Sequence, residues 1–412
     1  MVIFDVSKFF LVQGDRGLKS SYRIALFSSL YFAQGMLMSY FLTFNILYLG
    51  ENGYSPGEVG IFQGILALPF VLKIFLGMLS DGVNLFGLGH RKPYIALGLV
   101  GQVVAMLLFP QISLANGLSS FALLALMASV SMALYDTCTD GFALDTTPPG
   151  QRGTIQGAMV GARAFGILLM LVLGGRIVDW AGWDWLFYII SIISLIPLGL
   201  LLVSGIREQD HEKGHREAFT WKAFSRFSSG PVILLAVIGL VYTIALDGVL
   251  TFLSDYLRVV WNVSIGEVGS LIALSMVGRI MGALTNSWVT DRIGRKQSLL
   301  FAIGLAVVGC FGLALNFGLF WIGFFGFVFG LAYGYYNAVY AAVAMDLSDP
   351  KIAASMFAIF MMFVNLGTVG GQIMGGQVIE QYGFSAMVIV FGIINLVNVP
   401  LVIHIFKKIK DR

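Results

Sequence analysis

The chain has 412 residues, 58% of them apolar and only 11% charged, with a mean hydropathy of +0.87. That balance excludes an ordinary soluble domain, which needs far more polar surface. The formal net charge of +3 is a loop asymmetry and not a basic patch, so no nucleic-acid partner is expected.

Residues 1–21 mix apolar side chains with Asp5, Lys8, Asp15 and Arg16 and lack a cleavage-site pattern. They read as a cytoplasmic interfacial arm and not as a signal peptide. Twelve stretches follow that can each cross a bilayer at roughly 20 residues per crossing. They lie near 22–49, 55–79, 94–112, 119–144, 154–178 and 184–204, then near 231–257, 266–289, 298–315, 319–345, 352–379 and 385–406. The reading is an all-α membrane protein of twelve transmembrane helices in two pseudo-symmetric six-helix halves, 22–204 and 231–406. Between them, 205–230 is a hydrophilic linker. Its Trp221, Phe224 and Phe227 alternate with Lys222 and Arg226, as on a helix lying at the membrane surface. Residues 407–412 form a basic cytoplasmic tail.

The halves repeat each other. Ser55-Pro-Gly-Glu-Val-Gly60 returns as Ser264-Ile-Gly-Glu-Val-Gly269. Tyr135, Asp145, Pro149, Gly166, Gly174 and Gly175 reappear 201 residues later as Tyr336, Asp346, Pro350, Gly367, Gly375 and Gly376. Tandem helical halves imply a solute site at their interface.

Basic residues give the orientation. With the N-terminus inside, 20 of the 25 lysines and arginines fall on the inner loops, arm and tail. Both termini are therefore expected in the cytoplasm, most simply across a bacterial inner membrane. Arg176 and Arg258, at outer helix ends, are expected to snorkel. Trp180, Trp183 and Trp185 fit an outer aromatic belt. Cys138 and Cys310 fall within spans and read as small packing residues.

Six charges lie within spans: Lys73, Asp136, Asp140, Arg163, Asp247 and Arg279. At about 2.5–3.5 kcal/mol for each central charge, they must avoid lipid and face the bundle interior or water. Asp136 is nine residues before Asp145, and Arg163 nine after Thr154, so both lie about 13 Å from the inner end. They are expected to meet. Asp140 sits one turn from Asp136 on the same face, and Lys73 is about 12 Å from the inner end. These groups, with mid-span Gln34, are the candidate solute and proton pathway. The blander alternative is a structural Asp136–Arg163 pair tying two spans together. Asp247 and Arg279 carry the same two readings.

Gly77-Met-Leu-Ser-Asp81 precedes His90-Arg91-Lys92, and Ser287-Trp-Val-Thr-Asp291-Arg292 precedes Gly294-Arg295-Lys296. Both loops resemble the signature of the major facilitator superfamily, although Ser287 replaces a glycine and the first turn is long. The resemblance implies that Gly77, Asp81, Arg91, Asp291, Arg292 and Arg295 gate the inner face. Tyr31-Phe-Ala-Gln-Gly35, Pro69-x-x-x-Lys73, Asp136-x-x-x-Asp140 and Arg163-x-x-Gly166 resemble one narrower cluster. It comprises muropeptide permeases, acetyl-coenzyme-A transporters and folate–biopterin transporters. Ser80-Asp81 and Gly89-His-Arg-Lys-Pro-Tyr94 lean toward the last of these.

Neither a phosphate-binding loop nor His-Glu-x-x-His occurs, and His211 and His215 in the polar linker read as solvated residues. The expectation is a non-enzymatic secondary transporter of a polar or anionic small metabolite. It would be driven by a proton or other ion gradient, need no cofactor, work as a monomer and have only solute and lipid as partners. The alternative is a lipid or amphiphile flippase on the same fold.

Overall fold

In the computed structural model, residues 15–87, 89–112, 114, 117–204, 230–315, 317–348 and 353–410 are described. The expected arm over 1–14, the linker with its surface helix, His211, His215, Pro350 and Lys351 lie outside them. Twelve helices are long and apolar enough to span a membrane. In the first half they are α1 (Ser20–Glu51), α2 (Pro56–Gly82), α3 (Lys92–Gln111), α4 (Leu118–Thr146), α5 (Arg152–Ala181) and α6 (Trp183–Val203). In the second they are α7 (Gly230–Val259), α8 (Ile265–Asn286), α9 (Trp288–Ala314), α10 (Leu319–Leu347), α11 (Met356–Tyr382) and α12 (Phe384–Lys408). No strand occurs among the described residues. Helix already begins at Asp15, so the end of the expected arm continues into α1.

The repeated Ser-x-Gly-Glu-Val-Gly segments have a local explanation. Each is a capping box: the Ser55 and Ser264 hydroxyls accept from the backbone N–H of Glu58 and Glu267, whose carboxylates accept from the serine N–H groups. Two of the orphan donors of α2 and of α8 are thereby satisfied. The helix of α8 continues past Asn286 and breaks at Gly294, within the range given for α9, with φ 79° and ψ 161°, a conformation that glycine adopts without strain. This α8–α9 turn is tighter than the gap expected between the eighth and ninth spans.

Glycines let the helices approach closely, as lipid-embedded packing requires. Gly35 of α1 rests on the Arg163 carbonyl of α5, while Gly334 of α10 rests on the Arg279 carbonyl of α8. The same device joins the halves. Gly60 of α2 faces Gly376 of α11, and Gly175 of α5 faces Gly266 of α8. Both crossings lie at the end where α2 and α8 begin. Farther along, the amide of Asn365 on α11 donates to the Phe70 carbonyl of α2 at 2.9 Å. Asp81 and Arg91 lie at the end away from the two glycine crossings. Two short π-helical stretches, Tyr40–Phe44 in α1 and Met170–Gly174 in α5, interrupt the helices near the closed end.

Candidate functional site

The α2 helix breaks at Leu72, three residues after Pro69, and restarts at Lys73. Pro69 withholds an N–H from the Ile65 carbonyl, in the turn before that break. The Lys73 ammonium lies 2.6 Å from Asp136 and 3.8 Å from Asp140, the two acids one turn apart on α4. The Lys73 and Asp140 side chains are 36% and 40% exposed, whereas Asp136 is only 5% exposed. The lysine and Asp140 are therefore partly accessible, and the inner acid is not.

The remaining lone pairs of these acids are taken from α1. Gln34 donates its amide to Asp136 at 2.6 Å, and the Tyr31 hydroxyl donates to Asp140. Arg163 on α5 lies over the Tyr31 ring, 5.3 Å from its centroid, in cation–π contact. The expected meeting of Asp136 with Arg163 is thus corrected: Lys73 and Gln34 hold Asp136, and the arginine reaches the cluster through Tyr31. Depth along a helix was derivable from spacing, but the facing direction that decides partners was not. The four helices of this cluster supply two acids and two cations, a formally neutral set.

A second cluster stands in the other half. Asp247 on α7 is buried, and its two oxygens accept from the Tyr333 hydroxyl of α10 at 2.6 Å and from the Thr368 hydroxyl of α11. Arg279 on α8 lies over the Tyr333 ring, 3.9 Å from its centroid. Each half therefore contains a tyrosine that donates to a span aspartate and carries an arginine on its face. The helices supplying these groups differ, so this likeness does not come from the sequence repeat.

At the end away from the glycine crossings, Arg91 is buried among α2, α3 and α4. It pairs with Asp81, reaches Asp145 at 3.6 Å and donates to the Ser80 hydroxyl at 2.8 Å. Gly77 lies against Thr137 of α4. In the other half, Arg295 pairs with Asp346 at 3.1 Å, while Arg292 covers Trp288 at 3.8 Å. Asp291 is exposed at the α8–α9 turn. Sequence reasoning passed over Asp145 and Asp346, although they are one repeat apart and each receives the loop arginine of its own half. Their repetition was the available signal.

At the closed end, Arg258 has a partner that the sequence did not announce. It pairs with Glu51 of the first half at 2.9 Å, and Trp183 also donates to Glu51 at 3.0 Å. Asp179, at the end of α5, accepts from the backbone N–H groups of Ile265 at 3.1 Å and Gly266 at 2.8 Å. Glu51, Asp179, Tyr333 and Thr368 carried no sequence signal strong enough to single them out, and Tyr31 stood in a quoted motif without a role. Cys138 and Cys310 are buried on α4 and α9 as free thiols.

Comparison with known proteins points to one family. A "Folate-biopterin transporter" of Synechocystis sp. is 29% identical over 201 residues, covering 48% of this chain and 40% of that protein. This chain thus spans about two fifths of that relative's length. The structure of the nucleoside transporter NupG superposes with a TM-score of 0.79 at 17% identity, covering 93% of this chain and 99% of the other. A D-xylose-proton symporter superposes with a TM-score of 0.73 at 15% identity, covering 93% and 97%. At such identities the likeness to these structures is one of fold. Residues 27–260 and 235–411 match the sequence profile of the Major Facilitator Superfamily. With both halves matched, the chain belongs to the Major Facilitator Superfamily.

Proposed function

We propose that the chain is a secondary active transporter that carries a polar or anionic small metabolite by alternating access, coupled to protons. The single observation that carries the reading is Lys73, one partly exposed cation shared by Asp136 and Asp140, and the crevice between the halves belongs to the proposal. An anionic group entering the crevice competes with the two acids for Lys73 and finds Arg163 beside it. An acid that loses its counter-charge in a low-dielectric site takes up a proton. Solute binding and proton binding are thereby linked through one lysine. Asp247, held by hydroxyls and not by a cation at ion-pair distance, is the second candidate proton carrier.

The names of similar proteins support a small polar solute: a folate–biopterin transporter, a nucleoside transporter and a D-xylose–proton symporter. The chain works as a monomer in a bacterial cytoplasmic membrane, with the Asp81–Arg91 loop and both termini inside. The crevice then opens to the cytoplasm. The gating roles of Gly77, Asp81, Arg91, Asp291, Arg292 and Arg295 belong to the same proposal.

The test is uptake into proteoliposomes, using labelled folate, nucleosides and muropeptides with and without an acid-outside pH gradient. One solute class should accumulate in response to the gradient and stop accumulating in Lys73→Ala. Unaltered uptake in all of Asp136→Asn, Asp140→Asn and Asp247→Asn removes proton coupling from the account.

A further inference from the structure

The repeated segments do more than start helices, because each docks on the opposite half. Gly376 rests on the carbonyl of Pro56 in the first copy, and Gly175, one repeat earlier, rests on the carbonyl of Ile265, the counterpart of Pro56 in the second. The two crossings are thus related by the internal pseudo-symmetry, and together they close the end of the molecule opposite the crevice. Next to each glycine an acid ends the supporting helix: Asp179 on α5 and, one repeat later, Glu380 on α11.

The acids do not do the same thing, and the sequence contains the reason. Asp179 faces Ile265 and Gly266, which offer two free N–H groups at the positive end of the α8 dipole, and both its oxygens are used. Glu380 faces the equivalent turn of α2, where Pro56 stands in place of Ile265 and has no N–H to offer. Glu380 lies against Gly57. One crossing can be held by a carboxylate gripping two main-chain donors, and the other cannot.

We propose that Asp179 is a positioning residue of the transport cycle, a one-sided latch whose carboxylate must release the first turn of α8 whenever the closed end opens. The proposal rests on the alternating-access reading above. Glu51, bridging Trp183 and Arg258, is the secondary tie across the same seam.

The experiment measures spin-label distances in solute-free protein carrying Cys138→Ala and Cys310→Ala. One label pair replaces the exposed Asp184 and Gln381 near the closed end; a second replaces the exposed Thr154 and Lys296 near the crevice mouth. Asp179→Ala should raise the long-distance population of the first pair about three- to tenfold, the range for an exposed charge-assisted contact. The second pair should shorten in step, which local damage to α5 would not produce. Asp179→Glu should restore the wild-type distribution, and Gly304→Ala, where a methyl meets open space, should leave it unchanged. Gly269→Ala places a methyl against the Leu171 carbonyl and serves as a seam-opening control, with Glu51→Ala/Arg258→Ala in its place if folded protein is not obtained. If the control lengthens the first pair and Asp179→Ala does not, the latch is overturned while alternating access stands. If neither lengthens it, alternating access fails and the latch with it.

Discussion

The Lys73 ammonium lies 2.6 Å from the buried Asp136 carboxylate and only 3.8 Å from Asp140, so one lysine serves two acids unequally. Removing it leaves Asp136 with Gln34 as its remaining donor. Breaking a buried ion pair costs about 3–5 kcal/mol, and the partial exposure of Lys73 reduces this to roughly 1–3 kcal/mol. Lys73→Met should lower the thermal midpoint of purified protein by several degrees. Lys73→Met combined with Asp136→Asn should recover much of that loss, because no uncompensated charge remains. A purely additive double mutant would show that the two residues are not coupled.

Asp247 makes a different prediction, because its partners are hydroxyls. Tyr333→Phe and Thr368→Val each remove one donor from a buried carboxylate, at a cost of about 1–3 kcal/mol in the charged form. Both variants should favour the protonated acid. Gradient-driven uptake should therefore persist at a higher outer pH than in wild type, measured as accumulation against outer pH at fixed inner pH. Asp247→Asn should lose accumulation but keep solute exchange between equal pools. A shift toward lower pH in Tyr333→Phe would contradict the assignment.

The two loop arginines should respond very unequally. Arg91 is 10% exposed and binds Ser80 and Asp81 of α2 and Asp145 of α4, so Arg91→Ala strands two acids. Arg295 and Asp346 are 40% and 57% exposed, and such pairs contribute about 0–1 kcal/mol. Arg91→Ala should sharply reduce the yield of monodisperse protein on size-exclusion chromatography. Arg295→Ala should hardly change it.

At Gly334 the backbone of α10 touches the Arg279 carbonyl of α8. A valine there must push the helices apart, at a cost of about 1–3 kcal/mol or more, and carry Arg279 away from the Tyr333 ring. Gly334→Val should be less stable to heating and should transport less than Arg279→Ala. At Gly304, where a methyl meets open space, Gly304→Ala should be silent in both assays.

Much of the architecture was legible because bilayer crossing imposes length and hydropathy along the chain itself. The repeat disclosed two halves, and counting residues from helix ends brought Lys73, Asp136, Asp140 and Arg163 to one depth. Counting could not supply azimuth. Asp136 faces α2 and α1, so its cation is Lys73 and not the arginine at equal depth on α5. The partner of Arg258 was illegible for a related reason. Its partner Glu51 lies 207 residues away in the opposite half, and no local pattern announces that pairing. Tyr31, Tyr333 and Thr368 look like ordinary span residues until their hydroxyls are seen on carboxylates. The repeated glycines were visible at once, yet only the crossings of Gly60 on Gly376 and Gly175 on Gly266 explain why both halves keep them.

The two π-helical stretches bear on how the sealed end is aimed. Glu51 lies seven residues beyond Phe44, and Asp179 five beyond Gly174, each on the continuation of its interrupted helix. A π turn houses one surplus residue, so everything past it is rotated by about 100° from where an unbroken α-helix would send it. Deleting a single residue from either bulge would regularise the helix and swing that acid away from Arg258 or from the start of α8. Two small helical irregularities in one half thus set the bearing of the side chains by which it grips the other.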